Sequence, residues 1–353
     1  MGNTKRLSFI IPCYNSTRFL RECIDSLYAQ DISEEDYEIV AVNDCSTDNT
    51  KEILLEYKNN HSNMIIIDHE YNKGQGSARN TGLKNSTGEY IWYVDHDDFI
   101  IPNVVFFLLS LVEENQLDFV QFNYIEVDEK RELIDKIKTS NLAPGIISGL
   151  DFAKSIGTSF LNDYNMSVWA RLYNRSFLVN GKFQFEDIGI FEDLEYSLRT
   201  LLFADNIKLI DEFPYCYRIH PASTMKIYER TIKGDLTYFS CIKSGSSLVK
   251  LGKDLATKDF EISKLITEGG IWRINSIIKP ILFSSAQQRH IFYSLLKENQ
   301  DKKKLYRLSN SYNYLLLRFP VLSSVSLFFI SPLLRTVKKV LATKNQDASK
   351  LKI

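Results

Sequence analysis

Two hydrophobic periods alternate through the first 125 residues, and this alternation restricts the possible folds more than any other feature of the chain. Residues 7–12 (LSFIIP) form an apolar run of strand length. Behind Ser16, a helix-capping residue type, STRFLRECIDSLYAQ repeats Phe19, Leu20, Cys23, Ile24, Leu27 and Tyr28 at helical spacing. YEIVAV (37–42) reads as the next strand. Asp48 is placed to cap NTKEILLEYKNN, whose Ile53, Leu54 and Tyr57 share one face. MIIID (64–68), a glycine-opened helix GSARNTGLKN, and YIWYV (90–94) continue the series. Pro102 suits the first position of a helix running to Asn115, and LDFVQFN (117–123) closes the set.

Strand and helix alternating at this spacing predict an α/β fold: a mainly parallel sheet with helices on both faces. In such sheets ligands bind beyond the carboxyl ends of the strands. PCYN, NDCSTD, HEYNKGQGSARN and DHDD each follow a predicted strand, so four polar loops are expected at one edge. The pattern then changes. Residues 124–150 are mixed and charged, with NLAPGIISG read as a loop. A helix is expected at 151–161, an α+β stretch through MSVWARLYNRSFL, and another helix over 191–204 from its leucine spacing. Beyond 231 the pattern is mostly helical. The expected organisation is an α/β half over 1–125, a second half of the same domain over 126–230, and a mostly helical extension over 231–353.

Composition sets limits. The formal net charge of −1 gives no footprint for nucleic acid. Five cysteines without CxxC spacing predict reduced thiols, not a zinc or disulfide framework. No apolar leader precedes residue 7, and a cytoplasmic protein is expected. The segment 318–344 is apolar and then basic, but Pro320 and Pro332 leave only 11 residues between them. A spanning helix needs about 20. Two readings stand: an interfacial helix presenting Arg335, Lys338, Lys339 and Lys344 to anionic lipid on the inner membrane face, or an amphipathic helix packed on its own domain or on a second subunit.

Within DHDD, carboxylates at a strand end make a hard-oxygen site for Mg²⁺ or Mn²⁺; an acidic loop capping the Pro102 helix is the plainer reading. Asp44 follows a buried strand, where its carboxylate suits a base N–H. NKGQGSARN resembles a phosphate-cradling turn, with Arg79 one helical turn in, able to reach a base or phosphate; a surface arginine is its structural alternative. It is neither a full dinucleotide fingerprint nor a P-loop. In FEDLEY, Glu192 and Asp193 open a helix. The helix dipole favours acids there, and a first-turn carboxylate also serves as a general base.

Taken in order, SFIIPCYNSTRFLRECIDSLYAQ, VNDCSTDNT, NKGQGSARNTGL, GEYIWYVDHDD, VWARLYNRSFL and FEDLEYSLR resemble the family 2 inverting glycosyltransferases of GT-A fold, over about residues 5–225. The resemblance implies a nucleotide pocket lined by Pro12, Tyr14 and Asn15, with Asp44 on a uracil-type base and Lys73 and Arg79 on base or diphosphate. It implies Asp95 and Asp97 as the ribose and metal side of a DxD motif, Asp98 near the metal, and Asp193 as catalytic base beside Glu192. YCYRIHPAST is similar to the segment that closes over the diphosphate, bringing Arg218 and His220, the latter a further metal or phosphate contact. Trp169 and Arg171 fall where the family lines its acceptor side. Asn43, Cys45 and His96 depart from the family's usual acid, glycine and serine without removing a metal or base residue.

The implied activity is transfer of a sugar from a nucleotide diphosphate sugar, UDP foremost, to a sugar or lipid-linked acceptor hydroxyl with inversion. Mn²⁺ or Mg²⁺ is the cofactor, surface polysaccharide synthesis the setting, and a homo-oligomer an open possibility. A sugar-phosphate nucleotidyltransferase and a non-catalytic nucleotide-sugar scaffold are the competing readings.

Overall fold

A computed structural model describes residues 5–156, 167–189, 191–223 and 235–282. The chain divides into two compact units, one of residues 1–232 and 247–269, the other of 233–246 and 270–353. The first unit holds every strand described here. In the second, the described residues lie on parts of two helices, Asp235–Asp254 and Phe260–Leu282. There Arg273 Nη1 donates to Ser244 Oγ at 3.4 Å.

Strands β1 (Leu7–Cys13), β2 (Tyr37–Asn43), β3 (Met64–Asp68) and β4 (Tyr90–Tyr93) pair in parallel in the order β3-β2-β1-β4. The apolar runs of β1, β2 and β4 bury both faces, as a sheet covered on both sides requires, while β3 at the edge is partly buried. Period two decides which face each residue takes. Phe9, Ile11, Ile39, Ala41 and Trp92 join one core cluster, whereas Ile10, Val40, Val42, Ile91 and Tyr93 join another. Helices α1 (Leu20–Tyr28), α2 (Thr50–Asn60) and α4 (Val105–Asn115) supply Leu20, Ile24, Leu54 and Leu109 to the first cluster. The second takes residues from α3 (Gln75–Asn85), α5 (Gly149–Ile156), α6 (Arg175–Asn180) and α7 (Glu192–Phe203). Residues 247–269, grouped by sequence with the C-terminal extension, pack here instead: Leu248, Leu251, Leu255, Ile262 and Ile266 complete the cluster.

Beyond β4 the sheet turns mixed. β10 (Arg171–Asn174) inserts antiparallel between β4 and β6 (Phe119–Gln121), followed by β11 (Ile207–Leu209) and β9 (Gly145–Ile147). A smaller sheet runs β5-β12-β7-β8, from Phe99–Ile100, Tyr215–Arg218, Tyr124–Val127 and Leu133–Ile137.

Several predicted boundaries move for local reasons. α1 begins at Leu20 because Asn15 is left-handed (φ 50°) and Ser16 turns the chain through its carbonyl, not its hydroxyl. Pro102 is not in a helix; left-handed Asn103 (φ 59°) breaks the path, and α4 starts at Val105. The strand predicted over 117–123 ends at Gln121, where the chain passes to the smaller sheet. Part of the helix expected at 151–161 and all of segment 318–344 lie outside the described residues. No helix among the described residues is long and apolar enough to cross a membrane.

Candidate active site

Four loops leave the carboxyl ends of β1 to β4, and hydrogen bonds tie them into one edge. Asp44 N donates to Cys13 O at 2.8 Å, and Thr47 N to Asn15 Oδ1 at 2.8 Å, joining the first two. Asp48 reinforces this seam. Its Oδ2 accepts from Thr17 N and Oγ1 while Oδ1 accepts from Thr50 at the start of α2. The second and third loops meet at Asp44, which is buried. Its Oδ1 accepts from Lys73 N (2.9 Å) and faces His69 Nδ1 (2.6 Å), and its Oδ2 accepts from Gly74 N (2.8 Å). His69 Nε2 lies 2.9 Å from Thr81 Oγ1 on α3. Gly74 holds φ +84°, open to glycine and strained for other residues, so the turn needs it. The fourth loop closes on the first through His96 Nδ1, 3.1 Å from Pro12 O. Tyr14 stands exposed at this edge, and the Lys73 ammonium lies 5.1 Å from the Tyr71 ring.

At the heart of the edge is Arg79, only 1% exposed. Its Nη2 donates to Asp95 Oδ1 at 2.7 Å and its Nη1 to Glu192 Oε1 at 3.0 Å. One guanidinium thus joins the loop after β4 to the first turn of α7, a chain separation of 113 residues at its longer reach. Burial, followed by the charge of Asp193, pushes the Glu192 carboxyl up to about 8 against the pull of Arg79. Glu192 Oε2 has no hydrogen-bond partner and lies by a cavity of about 180 Å³ shared with Gly74, Gly76 and Ser77. Asp193 is half-buried, and its Oδ1 accepts from Leu194 N at 2.9 Å.

Phe185 fixes this arrangement from below. Asn80 clamps its backbone with two bonds of 2.8 Å, Nδ2 to the carbonyl and Oδ1 from the amide. The Phe185 ring stacks on Tyr196 of α7 (3.8 Å, 2°) and meets Tyr93 edge-on at 5.5 Å. A Cβ on Gly76 would stand 3.0 Å from Glu192 Cγ and 3.1 Å from Phe185 Cβ, a close approach that glycine permits.

The loop after β4 divides its carboxylates between two tasks. Asp97 Oδ2 faces His220 Nε2 at 2.9 Å. Burial raises Asp97, but the charge of His96 and the bond from His220 outweigh it and hold the carboxyl below its usual range. His220 Nδ1 is buried and without a partner, and its ring packs 5.0 Å from Phe19. Asp98 points inward: Tyr215 Oη donates to its Oδ2 and Arg218 N to its Oδ1, both at 2.7 Å. Burial, then the charges of Asp97 and Asp95, push its carboxyl well up. The three neighbouring carboxylates thus have separate partners. One is paired with Arg79, one with His220, and the third is hydrogen-bonded in the interior.

Five site residues expected from the sequence meet partners in the interior. Asp98 is buried, and its two oxygens accept from Tyr215 Oη and Arg218 N. Arg79 is not a surface arginine: it is buried, and its Nη groups donate to Asp95 and Glu192. Trp169 does not line an open acceptor face: it is 5% exposed and stacks on Tyr215 (4.4 Å) and Tyr217 (5.5 Å). Arg171 is wholly buried, donating to Gln121 Oε1 and Ser197 O. Arg218 is also interior, with Nε on Asp97 O and Nη1 on Glu129 O, and with Nη2 2.8 Å from Glu22 Oε1. These contacts brace the loop. His69, Asn80 and Phe185 were not singled out by sequence; a histidine directly after β3 was the one available signal.

A large, mostly parallel sheet flanked by helices, with polar loops at its carboxyl edge and an acid-opened helix beside it, is the architecture of the GT-A fold. Residues 8–179 match glycosyl transferase family 2, and the chain carries a domain of that family. It is 33% identical over 223 residues to the uncharacterized glycosyltransferase EpsJ of Bacillus subtilis, covering 63% of each chain. Identity to the poly(ribitol-phosphate) beta-glucosyltransferase of Bacillus spizizenii is 29% over 216 residues, 61% of this chain but 32% of that one. Thus the match spans less than two thirds of either relative. Among solved structures, S. aureus TarS 1–349 in complex with UDP-GlcNAc superposes with a TM-score of 0.64 at 20% identity, covering 91% of this chain and 88% of that one.

Proposed function

We propose that the chain transfers a sugar from a nucleotide diphosphate sugar, UDP-linked foremost, to an acceptor hydroxyl with inversion, in surface polysaccharide or glycoconjugate synthesis. The observation that carries this reading is the Arg79 bridge. It sets the donor-side loop of Asp95 and Asp97 against the helix that begins with Glu192 and Asp193. The family match, and relatives named as glycosyltransferases acting on poly(ribitol phosphate), support transfer over the nucleotidyltransferase and scaffold readings.

In this account the base lies against Tyr14 and the turn held by Asp44, whose Oδ2 keeps one acceptor position for a uracil N3–H. Lys73 and Asn15 flank the nucleotide, and Asp95 serves the ribose. Asp193 takes the proton of the acceptor hydroxyl as that oxygen attacks the anomeric carbon from the face opposite the departing diphosphate. Glu192, buried beside Arg79, holds the start of α7 in register with the donor loop.

For Mn²⁺ or Mg²⁺ the residues fit in a limited way. Among the described residues no group of three His, Cys, Asp or Glu side chains stands ready to hold a metal. Asp97 with His220, whose Nδ1 is an orphaned buried atom, offers part of a coordination shell. Hard cations of this kind complete theirs with waters and substrate phosphate. A bound ion there would offset negative charge on the leaving diphosphate. A panel of nucleotide sugars with the full chain tests the reading by release of nucleoside diphosphate. Release from a UDP-sugar, accelerated by an acceptor glycan, is expected; no release from any nucleotide sugar overturns it.

A further inference from the structure

The last turn of α3, the first residue of α6 and the turn after α6 line a cavity of about 300 Å³ that holds none of the residues given a role above, Asn80 apart. Lys84, Arg175 and Lys182 line it together with Leu83, Leu178 and Phe183, and no acidic residue contributes to its walls. Several other cations of this unit are paired: Arg18 with Glu129, Arg21 with Glu56, Lys51 with Asp68, and Arg199 with Glu195. Lys84, Arg175 and Lys182 form no ion pair among the described residues, and Arg175 Nε is buried without a hydrogen-bond partner. Three like charges around one concavity with apolar walls repel one another, and an anion of matching size removes that cost. The volume equals on the order of ten waters at about 30 Å³ each, ample for a phosphate and the groups attached to it.

Its position gives the anion a role. Asn80 lines both this cavity and the one beside Glu192. Phe183 lines both this cavity and a third, of about 470 Å³, walled by Phe177 and Phe203. The basic cavity thus borders the one beside Glu192 through Asn80 and the one walled by Phe177 and Phe203 through Phe183.

We propose that the cavity of Lys84, Arg175 and Lys182 is an anion subsite that seats a phosphate group of the acceptor while its hydroxyl lies at Asp193. The proposal rests on the transferase reading above and adds the acceptor's chemical class, a phosphate-bearing molecule. A phosphodiester-linked polymer and a lipid-linked diphosphate share this chemistry, so the test separates them.

The full chain is first saturated with UDP, which occupies the donor site. It is then titrated by calorimetry with a glycerol phosphate oligomer, with a short-chain polyprenyl diphosphate below its micellar concentration, and with inorganic phosphate. The double variant Lys84→Gln, Lys182→Asn removes two exposed charges, and asparagine tolerates the left-handed φ of 54° at 182. Binding of the oligomer or of the lipid diphosphate to the wild type is expected, with affinity about tenfold lower in the double variant. UDP affinity and melting temperature should stay unchanged, and a Lys84→Arg, Lys182→Arg chain should keep the affinity. Whichever of the two probes binds identifies the source. Binding of inorganic phosphate only, no binding of any probe, or equal affinity in the double variant overturns the proposal. Failure of UDP to bind would instead remove the transferase reading, and the phosphate isotherms would still report on the cavity.

Discussion

Asp193→Asn should keep nucleotide affinity within about twofold and lose about 10²–10⁴-fold of the transfer rate, the usual contribution of a positioned base. Two acids open α7, and the structure separates their parts. Glu192 is buried, shares Arg79 with Asp95, and has its carboxyl pushed up to about 8. Asp193 keeps partial exposure, and Leu194 N holds one of its oxygens in place. An amide at 193 preserves shape and the accepted hydrogen bond but cannot take a proton. Donor binding depends on other loops and survives. Acceptor-dependent nucleotide release, followed beside UDP titration, measures both quantities. Transfer at the wild-type rate would remove Asp193 from the base role.

Arg79→Met should produce the largest loss of stability. The guanidinium bridges the buried Glu192 and the partly exposed Asp95, and breaking a buried pair from one side costs about 3–5 kcal/mol. For a unit of this size that corresponds to a fall in melting temperature of roughly 10 °C. The loss should also depend on pH. Glu192 has a folded-state pKa above its unfolded one, so the folded chain binds more protons between about pH 4.5 and about 8. In that window stability declines as pH rises, by up to about 1.4 kcal/mol per pH unit. Without Arg79 the ionised form of Glu192 loses its partner, so the variant should fall further below wild type at pH 9 than at pH 6. Glu192→Gln should flatten the same decline. Differential scanning calorimetry at the two pH values decides, and an equal loss at both would separate Arg79 from Glu192.

Much of the scaffold was legible because burial on both sheet faces leaves a plain trace. LSFIIP, YEIVAV and YIWYV are apolar without interruption and end in polar turns, so β1, β2 and β4 could be placed within a residue or so. The four-loop edge followed from strand order. The small sheet left no such trace: Leu133–Ile137 carries Asp135 and Lys136 on an exposed edge and resembles a loop. Arginines and aromatics misled for a related reason. Arg79, Arg171, Arg218 and Trp169 are residue types suited to phosphates and sugars. Whether such a side chain faces solvent depends on partners far along the chain, such as Glu192 for Arg79 and Tyr215 for Trp169. Adjacent acids look alike in DHDD, yet Asp97 meets His220 and Asp98 turns to Tyr215. That division is set by β12, more than a hundred residues later.

The central claim is that a diphosphate and a divalent ion occupy the edge where the loops after β1 to β4 join. Crystals of the full chain grown with UDP and Mn²⁺, measured for anomalous scattering at the manganese edge, test it most directly. The account predicts one strong peak bonded to Asp97 and to diphosphate oxygens, with the uracil beside the Lys73–Gly74 turn held by Asp44. UDP bound on another surface, or a manganese peak remote from Asp97, would contradict it.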